Sequence, residues 1–266
     1  MSKKERVQPG HWHVSETPEG RLEDWLTAWD KGQWDFTYTD PGPNLAKYFE
    51  KVTEGRKGLK ILVPLCATTY DLIWLCEQGH SVVGADLAES AAQRIFKQYK
   101  QEPIIEDVPS IAGKLYRNDS GTFKYYVGNF LRFSEDLEGT FDFIWDSKAM
   151  CAVDVRDRPD YLKVIRRLMG PKSTMMLECP KNIFPGAPYH FTEEQLNEFY
   201  GDICDVEYQD ESDFDPTIAY HGDVDDEGQP LKAEVGKEEA AQSKEAESKK
   251  GNTVIVLQNY FLKKRE

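Results

Sequence analysis

The chain has 266 residues, a formal net charge of −14 and 39% hydrophobic residues, which is enough for one α/β domain with a sizeable core. The negative charge disfavours nucleic acid as a partner, and no apolar run is long enough to span a membrane. Five cysteines without a CxxC pair, in a chain with no visible signal peptide, favour reduced thiols and a cytoplasmic location. We therefore expect residues 1–266 to form one domain, with a flexible N-terminal segment at 1–21, that acts as a monomer on a small molecule.

The first predicted elements are helical. Apolar side chains recur at helical spacing from Leu22 to Trp29, and so share one face of a helix. Proline and glycine punctuate residues 40–44, and a second short helix is predicted for residues 45–52.

From residue 59 the pattern changes to an alternation of strands and helices. The run LKILVPL (59–65) is typical of a strand that is buried on both faces of a parallel sheet. A helix is predicted over 72–76, with Gly79 in the position of a helix-ending glycine. The strand SVVGA (81–85) follows and leads to Asp86, which completes a β-α-β unit.

The alternation continues to residue 200. Helices are predicted over 89–99, 157–169 and 192–200, and strands over 123–127, 141–145 and 173–178. The tail differs, because residues 254–257 and 260–262 are strand-like with no helix between them. This pattern predicts an α/β fold with a doubly wound, mostly parallel sheet, an antiparallel C-terminal strand and a helical N-terminal segment.

Residues 222–251 form an acidic insertion in this pattern. Residues 210–250 contain 13 acidic and five basic residues. The insertion is rich in Glu, Lys, Ala and Ser and lacks a regular apolar period, so we expect it to be disordered on the surface. It is interpreted as a solvated segment, with a regulatory or docking role as the alternative.

Asp86 is the first candidate for ligand binding. It lies 22 positions after Pro64, where doubly wound sheets place an acidic residue that binds ribose hydroxyls. A solvated loop or cap aspartate is the alternative interpretation. The first loop, residues 64–70, has no GxGxxG, which argues against a dinucleotide and is compatible with a cofactor that lacks phosphates. No metal-binding HExxH, P-loop or nucleophile elbow is present, so the residues alone indicate a nucleoside-binding α/β enzyme.

Several sequence strings, taken together, resemble the thiopurine S-methyltransferase family in order and spacing. They are WLTAWDKGQWDF (25–36), GLKILVPLC (58–66), CEQGHSVVGADLAES (76–90), FDFIWDSKAM (141–150) and GAPYHFTEEQL (186–196). The match covers most of residues 22–262, apart from the insertion. It implies a seven-stranded Rossmann-like methyltransferase sheet, S-adenosyl-L-methionine as cofactor, and methyl transfer to a small thiol or related sulfur nucleophile.

The resemblance also implies site residues. Cofactor contacts fall on Trp25, Trp29, Phe36, Leu65, Asp86, Leu87, Asn129, Phe130, Asp146 and Ser147, and substrate contacts on Phe36, Lys148 and Tyr189. Aromatic faces would stabilise a sulfonium cation, and Asn129 would hydrogen-bond the adenine edge. Core packing is the alternative for the tryptophans and for Phe130. No catalytic base is assigned, and Asp146 is expected to position other groups.

Three departures from the family pattern bear on the acceptor. Ala67 replaces a usual glycine, Ser147 stands where the family has arginine, and no arginine occurs between Arg167 and Arg265. Recognition of an anionic thiopurine by arginine is thereby in doubt, and we hypothesise that Lys148 partly replaces it by attracting a thiolate. The alternatives are methyl transfer to a halide or another small inorganic nucleophile, and a non-catalytic cofactor-binding protein of the same fold.

Overall fold

The structure is a computed structural model that describes residues 15–32, 36–37, 39–181, 187–214, 220–221 and 255–265. The acidic insertion expected at 222–251 lies outside these residues. The helices in this part of the chain are α1 (Pro18–Asp30), α2 (Pro43–Thr53), α3 (Asp71–Glu77), α4 (Glu89–Gln98), α5 (Glu135–Glu138), α6 (Ala149–Ala152), α7 (Arg158–Leu168) and α8 (Glu193–Tyr200). Short 3₁₀ turns occur at Pro109–Ile111 and Phe130–Arg132.

The strands form one large sheet and one small one. They are β1 (Phe36–Thr37), β2 (Lys60–Pro64), β3 (Ser81–Asp86), β4 (Ile104–Val108), β5 (Gly113–Arg117), β6 (Phe123–Val127), β7 (Phe141–Ser147), β8 (Met169–Pro180), β9 (Cys204–Phe214), β10 (Tyr220–His221) and β11 (Ile255–Lys264). Among the described residues, β1 pairs with β10, and the other strands form a sheet of order β4-β5-β6-β3-β2-β7-β8-β11-β9.

The large sheet confirms the predicted fold class. The five strands β6, β3, β2, β7 and β8 are parallel, and β11 is antiparallel to both of its neighbours, β8 and β9. Strands β6 to β9 in this order make up a sheet of the expected seven strands. Strand β9 was not predicted, and the described residues of the predicted segments 254–257 and 260–262 form the single strand β11. The antiparallel β4–β5 hairpin, which the sequence analysis did not predict, extends it beyond β6.

Helices cover both faces of the sheet. Along β2, Leu62 faces one hydrophobic cluster whereas Ile61 and Val63 face the other, as the alternation of side chains in a strand requires. Helices α2, α3 and α4 contribute to the cluster around Ile61, and α7 and α8 contribute to the cluster around Leu62. The sheet is therefore doubly wound. No helix in the described part of the chain is both long enough and apolar enough to cross a membrane.

The predicted β-α-β unit is confirmed as β2, α3 and β3. The helix ends before Gly79, whose φ of +86° lies in the left-handed region that favours glycine. Gly84 lets α3 pack directly on β3. A Cβ atom at Gly84 would lie 3.0 Å from Sγ of Cys66 and 3.1 Å from a methyl group of Leu72. A larger residue there would separate the helix from the strand.

Helix α1 begins at Pro18, inside the segment 1–21 that we expected to be flexible. Arg21 ties this part of the helix to the domain, because the residue is 3% exposed and its guanidinium donates two hydrogen bonds to the carboxylate of Asp157, just before α7. The predicted apolar face is only partly covered. Trp25 and Trp29 are half-buried, and Leu26 is 38% exposed.

Candidate cofactor and acceptor site

The site residues predicted in the sheet follow the carboxyl ends of four neighbouring strands. Leu65 follows β2, Asp86 ends β3, Asn129 follows β6, and Asp146 and Ser147 end β7. These strands are adjacent in the order β6-β3-β2-β7. Because they are parallel, their carboxyl ends meet at one edge of the sheet, where ligands bind in doubly wound folds.

The Asp86 carboxylate organises the loop between β2 and α3. Its Oδ2 accepts a hydrogen bond from the N–H of Ala67 at 2.8 Å, and its Oδ1 accepts one from the N–H of Leu87 at 2.7 Å. Asp86 is 8% exposed, and this burial raises the pKa of its carboxyl group. Oδ1 also accepts a longer hydrogen bond from the N–H of Ala88 at 3.4 Å, whereas Oδ2 has one donor and keeps capacity for a ligand hydroxyl. The structure thus gives Asp86 a loop-organising role beside the predicted ligand-binding one.

The loop itself adopts an unusual backbone. Leu65 and Ala67 have φ angles of +44° and +46°, in the left-handed region that costs a residue with a Cβ atom about 1–2 kcal/mol. The carbonyl oxygen of Ala67 accepts a hydrogen bond from the Tyr125 hydroxyl at 2.8 Å. Ala67 thus takes a backbone conformation that suits the glycine usual in the family.

A buried carboxylate that the sequence analysis missed, Asp71, ties the N-terminal helices to the sheet. Its Oδ1 accepts the N–H of Gly42, just before α2, at 2.6 Å, and its Oδ2 accepts the indole N–H of Trp145, in β7, at 2.7 Å. Burial raises the pKa of Asp71. An aspartate in the first turn of a helix is common, so the sequence carried no signal for this role.

Asp146 lies wholly inside the protein. Its Oδ1 accepts the N–H of Met150 at 3.0 Å and its Oδ2 accepts the hydroxyl of Tyr161 at 2.8 Å, so the carboxylate joins β7 to α6 and α7. Desolvation raises the pKa of Asp146 to about 6. The arrangement agrees with the expected positioning role of Asp146.

Asn129 and Phe130 have different surroundings. The Oδ1 of half-buried Asn129 accepts the N–H of Leu131 at 2.9 Å and caps a 3₁₀ turn. Phe130 is buried, and its ring centroid lies 5.7 Å from those of Phe133 and Tyr161. The Phe130 side chain therefore belongs to the core, which is the alternative interpretation of this residue.

The aromatic residues near the N-terminus lie on α1 and β1. Trp25 and Trp29 are half-buried, and Trp29 packs against the hydrophobic cluster around Ile61. The backbone of Phe36 pairs with that of His221, and the Phe36 side chain is not among those described. The structure therefore brings α1 to the sheet with aromatic surface still exposed.

Ser147 and Lys148 belong to a polar group that we call the Glu178 cluster, consisting of Asn44, Ser147, Lys148, Glu178 and Ser212. The Glu178 carboxylate, at the end of β8, accepts a short hydrogen bond from Nζ of Lys148, one from Nδ2 of Asn44 at 2.7 Å, and one from the Ser147 hydroxyl at 3.4 Å. Asn44 also donates to the hydroxyl of Ser212 at 2.8 Å. The Lys148 ammonium is thus paired with a buried carboxylate that the sequence analysis missed.

Tyr189 lies beside a second cation, Arg158, at the start of α7. The guanidinium carbon is 4.6 Å from the centroid of the Tyr189 ring and 4.8 Å from that of Phe191. Burial lowers the pKa of Arg158. The backbone N–H of Tyr189 donates to the carbonyl of Cys151, in α6, at 2.8 Å. Arg158 precedes the segment 168–264 that lacks arginine, and helix α7 brings it to Tyr189, a contact that the sequence did not predict.

Known proteins share both the sequence pattern and the fold. A family model described as thiopurine S-methyltransferase matches residues 21–225. The thiopurine S-methyltransferase of Bos taurus is 28% identical over 193 residues, which cover 70% of this chain and 78% of the bovine protein. The probable thiopurine S-methyltransferase of Danio rerio is 27% identical over 190 residues, covering 70% of this chain and 82% of that protein.

Among solved structures, the fold is similar to that of the Burkholderia thailandensis 1,6-didemethyltoxoflavin-N1-methyltransferase, which was crystallised with 1,6-didemethyltoxoflavin and S-adenosylhomocysteine. The TM-score is 0.56 at 13% identity, with 95% of this chain and 92% of that chain covered. At this identity the likeness shows a shared fold.

The sheet order, the carboxyl-edge site and these similarities define the class of protein as a Rossmann-like methyltransferase that uses S-adenosylmethionine as its cofactor. Within that class, the chain belongs to the thiopurine S-methyltransferase family. The resemblance inferred from the sequence strings is confirmed, together with the expected enzyme class and cofactor.

Proposed function

We propose that the protein transfers the methyl group of S-adenosylmethionine to a small thiol or related sulfur nucleophile. The observation that carries this proposal is the Asp86 carboxylate, which lies at the carboxyl end of β3 and is held by the backbone N–H groups of Ala67, in the β2–α3 loop, and of Leu87, directly after β3. The family to which the chain belongs supports sulfur as the acceptor atom.

The chemistry of the edge fits this cofactor. Asp86 offers carboxylate oxygens to the two ribose hydroxyls, and Asn129 offers an amide to the adenine edge. The half-buried rings of Trp25 and Trp29 offer aromatic faces to a sulfonium cation. When bound, the cofactor supplies a methyl group activated by the positive charge on its sulfur.

The protein contributes alignment and exclusion of water. An acidic thiol is partly ionised near neutral pH, so no strong general base would be needed. The acceptor sulfur would bond to the methyl carbon as the bond from that carbon to the cofactor sulfonium breaks, and S-adenosylhomocysteine would leave. Orientation of the two reactants supplies ~7–11 kcal/mol of the barrier in well-aligned cases. Asp146 is not required as a base, because both of its oxygens accept hydrogen bonds inside the protein.

Calorimetric titration with S-adenosylhomocysteine, followed by turnover measurements on thiols and iodide, tests the proposal. We expect saturable binding at one site and methylation of thiols in preference to iodide. Turnover with iodide alone would support the alternative acceptor class. Binding without turnover on any acceptor would support the non-catalytic alternative.

A further inference from the structure

The charge of Lys148 is surrounded by carboxylates at the carboxyl edge of the sheet. Glu178 accepts its ammonium directly, and the positive charge of Lys148 also acts on the buried carboxylates of Asp71 and Asp146. The direct contact of the ammonium is with Glu178. A thiolate or carboxylate that approached Lys148 would therefore compete with Glu178 for the ammonium.

Glu178 is the fixed member of the pair. Its side chain is 5% exposed, against 37% for Lys148. It is anchored by Asn44 from α2, and its backbone carbonyl accepts the N–H of Lys148 at 2.9 Å. A buried carboxylate held by several donors keeps its place, whereas a long, partly exposed lysine side chain adapts to it.

We infer that Glu178 is a specificity-determining residue that makes this enzyme favour acceptors with no anionic group beyond the reacting sulfur. By neutralising Lys148, it removes the positive field that would otherwise attract a carboxylate or a second ionised group on the acceptor. This inference rests on the proposed thiol methyl transfer, and it revises the hypothesis that Lys148 acts as a free cation toward anionic acceptors.

Two aryl thiols with the same ring, one carrying a para methyl group and the other a para carboxylate, test the inference. For the unmodified protein we expect kcat/KM to be about tenfold higher for the methyl compound, since the carboxylate would lose part of its hydration beside a lysine whose charge is already paired with Glu178. Glu178→Gln keeps an acceptor oxygen for Asn44 and removes the negative charge that is paired with Lys148. It should lower KM for the carboxylate compound and reduce the preference about tenfold.

Glu211→Gln is the matched control, because Glu211 also pairs with a lysine, Lys181, but on the exposed side of β9. It should leave the preference unchanged. If Glu178→Gln does not fold, Lys148→Gln carries the test, since it leaves Glu178 in place and should widen the preference for the methyl compound.

The affinities of both aryl compounds for the S-adenosylhomocysteine complex provide a readout without turnover. If neither thiol is methylated, the proposed function fails, while these affinities still test the charge preference. The role of Glu178 would be overturned if the unmodified protein, Glu178→Gln and Lys148→Gln all showed the same preference for the methyl over the carboxylate compound, in kinetics or in binding.

Discussion

At the residue scale, buried carboxylates connect elements that are distant in sequence. Asp71, Asp86, Asp146 and Glu178 each lie at or near the end of an element and accept hydrogen bonds from another one. Burying a charge is unfavourable unless it is paired or hydrogen-bonded, and charge-assisted hydrogen bonds are the stronger kind. These four residues therefore hold the carboxyl edge in shape before any ligand binds.

Replacing Asp86 tests its two roles together. Asp86→Ala should weaken S-adenosylhomocysteine binding by about 1.5–3 kcal/mol, because a charged acceptor for the ribose is lost. We also expect the variant to be less stable, since Ala67 and Leu87 lose the acceptor for their N–H groups. Calorimetry and thermal denaturation measure the two effects. Glu89→Ala, on the neighbouring helix, should leave affinity unchanged, and an unchanged affinity in Asp86→Ala would contradict the ribose assignment.

The pKa of Asp146 makes a prediction about pH. The folded state raises this pKa from 3.8 to about 6, so it binds the proton more tightly than the unfolded chain does. The contribution of Asp146 to the free energy of unfolding is therefore greatest below about pH 4 and decreases as the pH rises to about 6. Relative to Asp146→Asn, the unmodified protein should lose on the order of 3 kcal/mol over this range. Denaturant titrations at several pH values measure the difference, and a constant difference would be incompatible with the raised pKa.

Ala67 offers a test of backbone strain in the first loop. Ala67→Gly should stabilise the folded state by about 1–2 kcal/mol, because it removes the strain of a left-handed backbone at alanine. It should also destabilise the protein by about 0.4–1 kcal/mol, because glycine increases the conformational entropy of the unfolded chain. We expect stability to stay equal or to increase by up to ~1 kcal/mol, and cofactor affinity to increase as the methyl group is removed. Ala112→Gly, at a second left-handed alanine, should change stability alone. A loss of affinity in Ala67→Gly would show that the methyl group contacts the cofactor favourably.

At the scale of elements, the sequence predicted the central strands, which are buried on both faces, and missed the outer strands β4, β5 and β9. The central strands are continuous apolar runs, such as LKILVPL, and these are recognisable without a structure. In β4, by contrast, Ile104 and Ile105 are both exposed, with Ile105 at 51%, so no alternation marked the hairpin.

The site divides in the same way. Asp86 was predictable because its position after a β-α-β unit has a known function. Asp71 and Glu178 are isolated acidic residues that belong to no sequence motif. Their roles depend on hydrogen bonds from other elements, from Trp145 to Asp71 and from Asn44 to Glu178. The local sequence does not predict these hydrogen bonds, because the packing of the whole sheet brings the partners together.

The ion pair that anchors α1 makes a prediction at this scale. Arg21→Met leaves the largely buried carboxylate of Asp157 without its partner, which should cost about 3 kcal/mol of stability and weaken cofactor binding as the tryptophans shift. Denaturant unfolding and calorimetry measure both effects. Adding Asp157→Asn should recover part of the loss. Lys263→Met, which breaks a pair that is about 60% exposed on both sides, should change little. If Arg21→Met bound S-adenosylhomocysteine with unchanged affinity, the position of α1 would not contribute to cofactor binding.

At the scale of the whole molecule, the acidic insertion can be tested by deletion. We expect removal of residues 223–250, with a short Gly/Ser linker in their place, to leave the unfolding midpoint and cofactor affinity nearly unchanged. The free energy of closing a loop changes slowly with its length, and the insertion lacks the apolar residues that would pack on the domain. Scanning calorimetry with and without S-adenosylhomocysteine measures both properties. A large fall in the midpoint would show that the insertion packs against the fold.

The position of β11 has a consequence for synthesis on the ribosome. This strand lies between β8 and β9, yet it is translated after both, and residues 215–254 separate it from β9. Until β11 emerges, the nascent chain presents β8 and β9 without their shared partner, and at ~5–20 residues per second this interval lasts on the order of seconds. An unpaired strand edge can form hydrogen bonds with another chain and so cause aggregation, unless charged side chains on the edge repel that chain. The acidic side chains of β9, among them Asp205, Glu207 and Asp213, supply that charge during the interval in which the sheet is incomplete.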